Sequence, residues 1–420
     1  MKKSVLSLAA MMAAGVSFAQ LSIDANLKTR FEYRHGQSEL FTKDADPATF
    51  VSQRTRLGFN YKMDFLELQA SLQNVSVWGD QGQPGGFGDV GIYEAWAKLG
   101  MGENFSLKMG RQPISYDDQR ILGALDWAQS GRTHDAAIVN YTKDGLQADA
   151  GFAYNQTNSN KTGNFYDLNR AFSYKTMQYL HLGKSWAGSN NTYASLLLMN
   201  NSFQSGTPAA SEIYARQTMG GYVKSNITPE FNVTGSVYYQ TGKALHNMDL
   251  SAYQARLELN YVQPSYQFGL GAEMLSGTSY DERQKSHTFV PLYGTNHGFN
   301  GFMDYFYVGN YASAVSPGLN DFYGKASFNV GGDAKILVQP HVFLANAQIA
   351  PDTDKYLGTE VDLVYSNTIS ENIKLNVGYS HMFASESMEL AKGGYGSHDE
   401  TNNWAWVQLY ITPNLFKSNQ

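Results

Sequence analysis

The chain has 420 residues, a formal charge of -6 and no cysteine. A slightly acidic balance gives no reason to expect nucleic acid, and without cysteine an exported chain is not a disulfide-stapled scaffold. After the first residues no segment approaches the roughly 18 consecutive apolar residues of a membrane helix, which excludes a helical membrane protein.

The opening stretch, MKKSVLSLAAMMAAGVSFAQ, sets Lys2 and Lys3 ahead of an apolar run and Ser17-Phe18-Ala19. That order is a secretory signal peptide, so residues 1–19 are expected to be removed and residues 20–420 to form the mature protein. Residues 21–34, LSIDANLKTRFEYR, then alternate without error between Leu21, Ile23, Ala25, Leu27, Thr29, Phe31, Tyr33 and Ser22, Asp24, Asn26, Lys28, Arg30, Glu32, Arg34. A period of two marks a strand whose faces meet different surroundings.

Runs of the same kind, bounded by Gly, Asn, Asp, Ser or Pro, follow at 52–62, 65–77, 91–99, 104–112, 133–143, 145–154, 174–185, 191–200 and 214–225. They continue at 231–240, 250–261, 265–275, 322–330, 335–345, 356–367, 372–383 and 402–412. Their connections alternate strictly. Tight turns at 63–64, 100–103, 143–145, 186–190, 226–230, 262–264, 331–334 and 368–371 separate long segments at 35–51, 78–90, 113–132, 155–173, 201–213, 241–249, 276–321, 346–355 and 384–401. A soluble sandwich has no reason to put every long loop at one end, whereas an outer-membrane barrel has short periplasmic turns, long outer loops and an even strand number. The expected fold is all-β: a closed antiparallel transmembrane barrel of 18 strands. Runs 174–185 and 191–200 alternate poorly, and Pro340 sits inside ILVQPHVFL, where a bulge is expected. These blemishes leave sixteen as the alternative count.

Lipid on one face and water on the other explain the two sets of residues, because an eighteen-strand sheet is too wide for side chains to fill. Alternation turns Arg30, Arg34, Arg54, Arg56, Arg216 and Arg256 inward, with several lysines, and also Glu360 and Asp362. The inward bases outnumber the inward acids although the chain is acidic overall, and a basic lumen concentrates anions. Pairing of the two signs across strands is the alternative at any single residue. The loop PISYDDQRILGALDWAQSGRTHD, with the Arg111 just before it, packs Arg111, Asp117, Asp118, Arg120, Asp126, Trp127, Arg132, His134 and Asp135 together. Such a density either fixes the loop as an ion-pair network, the heavier expectation, or contacts a carboxylated or hydroxylated solute.

GRQPISYDDQRILGALDWAQSGRTHDAA resembles the alginate export family of outer-membrane porins, in which G-R-Q at a strand end precedes D-Q-R-L, a Trp and R-x-x-D. LGTEVDLVYSNTISENIKLNVGYSHMF and WAWVQLYIT resemble that family's last strands, and the likeness spans essentially the whole mature chain. The resemblance implies eighteen strands and an electropositive conduit for an anionic polysaccharide leaving the cell. By motif match it makes Arg111, Arg120, Arg132, Asp135, Glu360 and Asp362 candidate lumen or gate residues. The family's long periplasmic gate turn has no counterpart at Ser370-Glu371-Asn372. The 46-residue loop 276–321 is long enough to fold into the mouth, where Tyr293, Phe299, Phe302, Tyr305, Phe306 and Tyr307 either stack on sugars or, the heavier expectation, pack the loop on itself.

No catalytic residues are expected. Ser397-His398-Asp399 is consecutive, which is not how a triad forms, and there is no G-x-S-x-G elbow or H-E-x-x-H helix. His341 and His381 read as wall residues, and Asp352 and Asp354 are too unspecific a pair to assign a calcium site. The sequence thus points to a channel passing anionic solutes, in particular an anionic saccharide, by diffusion, without cofactor or metal. Its other partner is outer-membrane lipid. A nonspecific porin and a barrel-anchored adhesin or enzyme are the rival readings, and the oligomeric state is left open.

Overall fold

The computed structural model describes residues 20–82, 88–159, 161–166, 173–188, 190–244, 247–306 and 316–418. The expected signal peptide, residues 1–19, and Tyr307 lie outside the described residues.

One antiparallel sheet forms the wall. Its strands are β1 (Gln20–His35), β2 (Ala48–Met63), β3 (Leu66–Val77), β4 (Gly91–Met101), β5 (Phe105–Gln112), β6 (His134–Lys143), β7 (Leu146–Tyr154), β8 (Thr176–Trp186) and β9 (Thr192–Thr207). They continue as β10 (Ala210–Asn226), β11 (Phe231–Lys243), β12 (Asp249–Val262), β13 (Tyr266–Leu275), β15 (Leu319–Gly331), β16 (Ala334–Leu344), β17 (Tyr356–Ser370), β18 (Ile373–Ala384) and β19 (Asn402–Ile411). Two short strands add to them: β14 (Lys285–Ser286) in a loop beside β12, and β20 (Asn414–Lys417) beside the start of β1. Because β1 pairs with both β2 and β19, the eighteen-strand wall is closed and leaves no open edge in hydrocarbon.

Alternation places side chains as the sequence implies. Leu257, Leu270 and Val237 point outward and are 61 %, 73 % and 62 % exposed, whereas Gln254, Gln240 and Glu258 on the same strands or their neighbours are buried inside. Near the tight turns, outward aromatic pairs such as Phe231–Tyr261 and Phe105–Tyr141, each with ring centroids 4.8 Å apart, form a belt of the kind that sits at a membrane interface.

Three expectations change. The long loop expected at 201–213 is a hairpin, in which Ser202↔Ala215 through Thr207↔Ala210 continue the β9–β10 ladder beyond the last β8 pair, Thr176↔Ser202. Its Ser, Gly and Pro residues read as loop because this part of the ladder leaves the apolar belt. Pro340 makes no bulge: the β16–β17 register runs through Pro340↔Val361 unbroken, and the proline ring meets Gly324 of β15, where no side chain opposes it. Run 191–200 alternates poorly because both of its faces bury carbon. Leu196 and Leu198 face outward, while Leu197 and Met199 join an interior cluster with Ile121, Leu122, Phe289 and Tyr293.

That cluster exists because two outer loops fold into the barrel. Loop 113–133 and residues 276–306 of the longer loop pair with each other through Tyr293 N–H to Ile121 O (3.0 Å), Gly123 N–H to Tyr293 O (2.9 Å) and Thr295 N–H to Gln119 O (2.9 Å). At the outer rim a short helix, α1 (Glu386–Ala391), is capped by the Ser385 side chain. The Lys392 amine after it reaches the Tyr305 carbonyl, and burial pushes its pKa down to about 7. Of the loop's aromatic residues, Tyr293, Tyr305 and Phe306 are buried, but against other segments and not on the loop itself as expected: Tyr293 meets His134 and Tyr174, Tyr305 bonds the Gly36 carbonyl, and Phe306 packs on Phe343 of β16.

Candidate functional site: a basic strip on the channel wall

The inward loops cover one side of the lumen far more than the other. On the inner faces of β10 to β17, Thr218, Gln240, Gln254 and Asp362 are completely sealed. On β2 to β5 the inner-face residues Arg56, Lys62, Gln69, Gln73, Glu94, Lys98 and Lys108 keep part of their surface exposed. Period two and the register Lys28↔Arg54 and Asn26↔Arg56 bring the cations of β1 and β2 together on this less covered side.

The tip of loop 113–133 leans on those cations. Lys28 Nζ donates to the carbonyls of Asp126 (2.5 Å), Trp127 (3.1 Å) and Ala128 (3.3 Å). Arg54 donates to Asp126 Oδ1 (2.9 Å) and to Asn26 Oδ1 (3.1 Å), and Arg56 to Asp126 Oδ1 (3.4 Å) and the Ser130 carbonyl (3.3 Å) while lying 3.4 Å over the Tyr93 ring. Toward the outside, Glu32 accepts from Arg30 (3.0 Å) and Arg34 (2.9 Å), and Trp127 stacks under Arg30 at 4.3 Å. Against Lys28, Arg30, Arg34, Arg54 and Arg56, the carboxylates in contact are Glu32 and Asp126, so the strip keeps a positive excess. A cavity of about 290 Å³ opens beside Arg30, Arg34, Trp127 and His297, and another of about 370 Å³ beside Lys98, Lys108 and Asp149.

The Asp126 side chain is 56 % exposed while Arg54 beneath it is fully buried. Replacing Asp126 by Asn is expected to leave the loop's carbonyl contacts in place and to remove the more exposed of the strip's two carboxylates, leaving the buried Glu32. After discounting for solvent, the gain is roughly 1 kcal/mol, or about fivefold in anion occupancy. Reversal potentials in a salt gradient measure it; an unchanged chloride preference would show that Asp126 does not compete.

On the covered side the same residue types act as bolts. Arg120 grips Glu273 with two bonds of 2.8 Å and reaches Asn296 (3.2 Å) and Asn300 (2.7 Å) of the longer loop. Asp117 accepts from Ser195 (2.7 Å), Tyr193 (3.0 Å) and His181 (3.2 Å). Arg256 holds Asp118 (2.9 Å) and Glu258 (2.6 Å). Burial raises the Asp118 carboxyl above its ordinary range, against the pull of Arg256. Arg132 donates to the Gly294 carbonyl (2.7 Å).

Several expectations about lumen residues are therefore corrected. Arg111 and Asp135 were expected to line the pore, yet they sit opposite each other on the outward face as an exposed two-bond pair of 2.8 and 2.9 Å. Lys108 points inward, and odd spacing along β5 sends Arg111 the other way. Glu360 and Asp362 do point inward, but the longer loop covers them completely. They accept Met303 N–H (2.8 Å) and Phe302 N–H (3.3 Å). Arg120 and Arg256 are likewise committed to loop docking, and Arg216 is 4 % exposed beneath the loops. Arg30, Arg34, Arg54 and Arg56 remain on the strip, where Arg34 and Arg56 keep exposed surface while Arg30 and Arg54 lie buried beneath the tip of loop 113–133. Lys28, Asp126 and Trp127 join them; Asp126 and Trp127 stood out only as part of a dense loop, and nothing local signals which wall that loop reaches.

Among the described residues there is no group of three or more His, Cys, Asp or Glu placed to hold a metal ion. No curated protein sequence matches the chain. Among solved structures, Acinetobacter baumannii OccAB4 superposes with a TM-score of 0.65 at 12 % identity, covering 94 % of this chain and 98 % of that one. Pseudomonas aeruginosa OccK1 (OpdK) gives 0.61 at 11 % identity over 94 % and 99 %. A BenF-like porin from Pseudomonas fluorescens Pf-5 gives 0.61 at 12 % identity over 94 % and 99 %. These likenesses concern the fold. The family model described as alginate export matches residues 19–399, and with the closed, apolar-belted barrel it leads to one conclusion: the chain is an outer-membrane channel protein that belongs to the alginate export family.

Proposed function

We propose that the channel passes anionic solutes, in particular an anionic polysaccharide or oligosaccharide, by diffusion along the basic strip of β1 and β2. One observation carries this reading: Arg54 and Arg56 converge on the exposed carboxylate of Asp126, while Lys28 holds the main-chain carbonyl of the same residue. Cations repeating every second residue along a strand lie roughly 7 Å apart, so an anion leaving one is already within reach of the next. Glu32 and Asp126 keep that attraction weak enough for release. Purified protein in a planar bilayer tests the proposal: a chloride-selective current blocked by oligouronates supports it. Weak selectivity without block would favour a general porin, and absence of current would leave the barrel as an anchor.

A second reading, small carboxylates in place of a polymer, is favoured by the two loops that narrow the lumen. One of the similar barrels, Pseudomonas aeruginosa OpdK, was solved with vanillate. Block by a monocarboxylate but not by oligouronates would select this reading.

A further inference from the structure

Arg216 has lost the role alternation gave it. Its guanidinium lies beneath the longer loop with only 4 % of the residue exposed, and its Nε has no hydrogen-bond partner. Its surroundings are aromatic: Phe203, 5.4 Å away, with Tyr214 and Tyr293 as its electrostatic neighbours and no carboxylate among them. A buried guanidinium without a counter-charge is costly, by more than one cation–π contact returns.

The groups around it hold a spare donor and, at Asn201 Oδ1, a buried acceptor that has no partner of its own. Asn201 stands directly opposite Arg216 in the β9–β10 register, and Asn201 Nδ2 donates to Tyr293 Oη (3.1 Å). The Tyr293 hydroxyl proton is therefore left to donate elsewhere; with the amide turned over, the spare donor is the Asn201 NH2 instead. Either way a single positive charge and a neutral donor converge. The segment carrying Tyr293 is pinned beside them by Gln240, which accepts Val290 N–H (3.0 Å) and donates to Val290 O (2.8 Å). Opposite Arg216 on β11 stands Gly242, whose backbone has φ +90° and lies against the Ala215 carbonyl and the Gln217 amide.

We infer that Arg216, Tyr293 and Asn201 form a binding site for one small monovalent anion of halide size, inside the barrel and apart from the basic strip. One cation sets the charge of the ligand, and the rings of Phe203, Tyr214 and Tyr293 limit its size. The bound anion ties β9 and β10 to the longer loop.

Crystals of the full barrel grown in sodium bromide test the site. The expected result is an anomalous bromide peak within hydrogen-bond distance of Arg216 Nε, absent in Arg216→Met, whose apolar side chain removes the buried charge. In detergent, bromide should raise the unfolding midpoint saturably, by about 1 to 3 °C over gluconate at equal ionic strength, in wild type only. An ordered water with no anomalous signal at the guanidinium, or an equal bromide response in Arg216→Met, would overturn the assignment. The wild-type map decides even if the variant fails to assemble.

Discussion

Replacing Arg120 by Met is expected to free the longer loop from the lumen and to raise both the conductance and the noise of single channels. Arg120 is almost completely buried and supplies two bonds to Glu273 on β13 as well as the contacts to Asn296 and Asn300. Removing one partner of a buried ion pair costs about 3–5 kcal/mol. Glu273 keeps bonds from Gln254 (3.0 Å) and Asn300 (2.8 Å), so the lower end of that range applies. A loss of about 3 kcal/mol raises the undocked population on the order of 100-fold. The wall itself should survive, because its ladder bonds do not pass through this side chain. Hydrogen exchange at residues 289–304 measures undocking directly. Steady single-channel current and unchanged exchange would mean that the other bolts, Asp117 and Arg256, suffice alone.

Neutralising Arg54 and Arg56 together, each to Gln, should abolish anion preference. The pair supplies two of the three cations around Asp126, and without them the carboxylate becomes the dominant charge beside Lys28. Focused positive potential in a low-dielectric channel changes encounter rates by about 10- to 1000-fold. Block by an anionic oligosaccharide should therefore weaken by at least the lower figure, with chloride preference falling to none. High salt should shrink the part of the difference that comes from the partly exposed Arg56, whereas the fully buried Arg54 is screened far less. Equal block in both proteins would remove the strip from the pathway.

The wall was legible because its information is local. Period two gives most of the strands, failing along β8 and β9 and in the 201–213 hairpin, and alternating short and long connections give the even count and the closed form, without any knowledge of partners. The interior was not legible to the same degree. Which wall an inward loop touches depends on how far it travels, and Asp117, Arg120 and Asp126, near neighbours in sequence, dock on β9, β13 and β2 respectively. Alternation correctly turned Arg216, Glu360 and Asp362 inward, yet inward is not the same as facing water once loops fill the space. Arg111 and Asp135 show the reverse error: strand parity already placed them outside, and motif likeness drew them in.

The join between β1 and β19 brings together residues such as Thr29 and Leu409, while the other wall pairings link neighbours along the chain. The entropic cost of such a ring closure grows with the logarithm of the length enclosed. Loop 113–133 acts as a strut here, since Arg120 fastens it to β13 and Asp126 to β2. With both ends anchored, the strut ties two distant arcs of the cylinder to each other across its interior, a brace that the ladder of neighbouring strands does not supply.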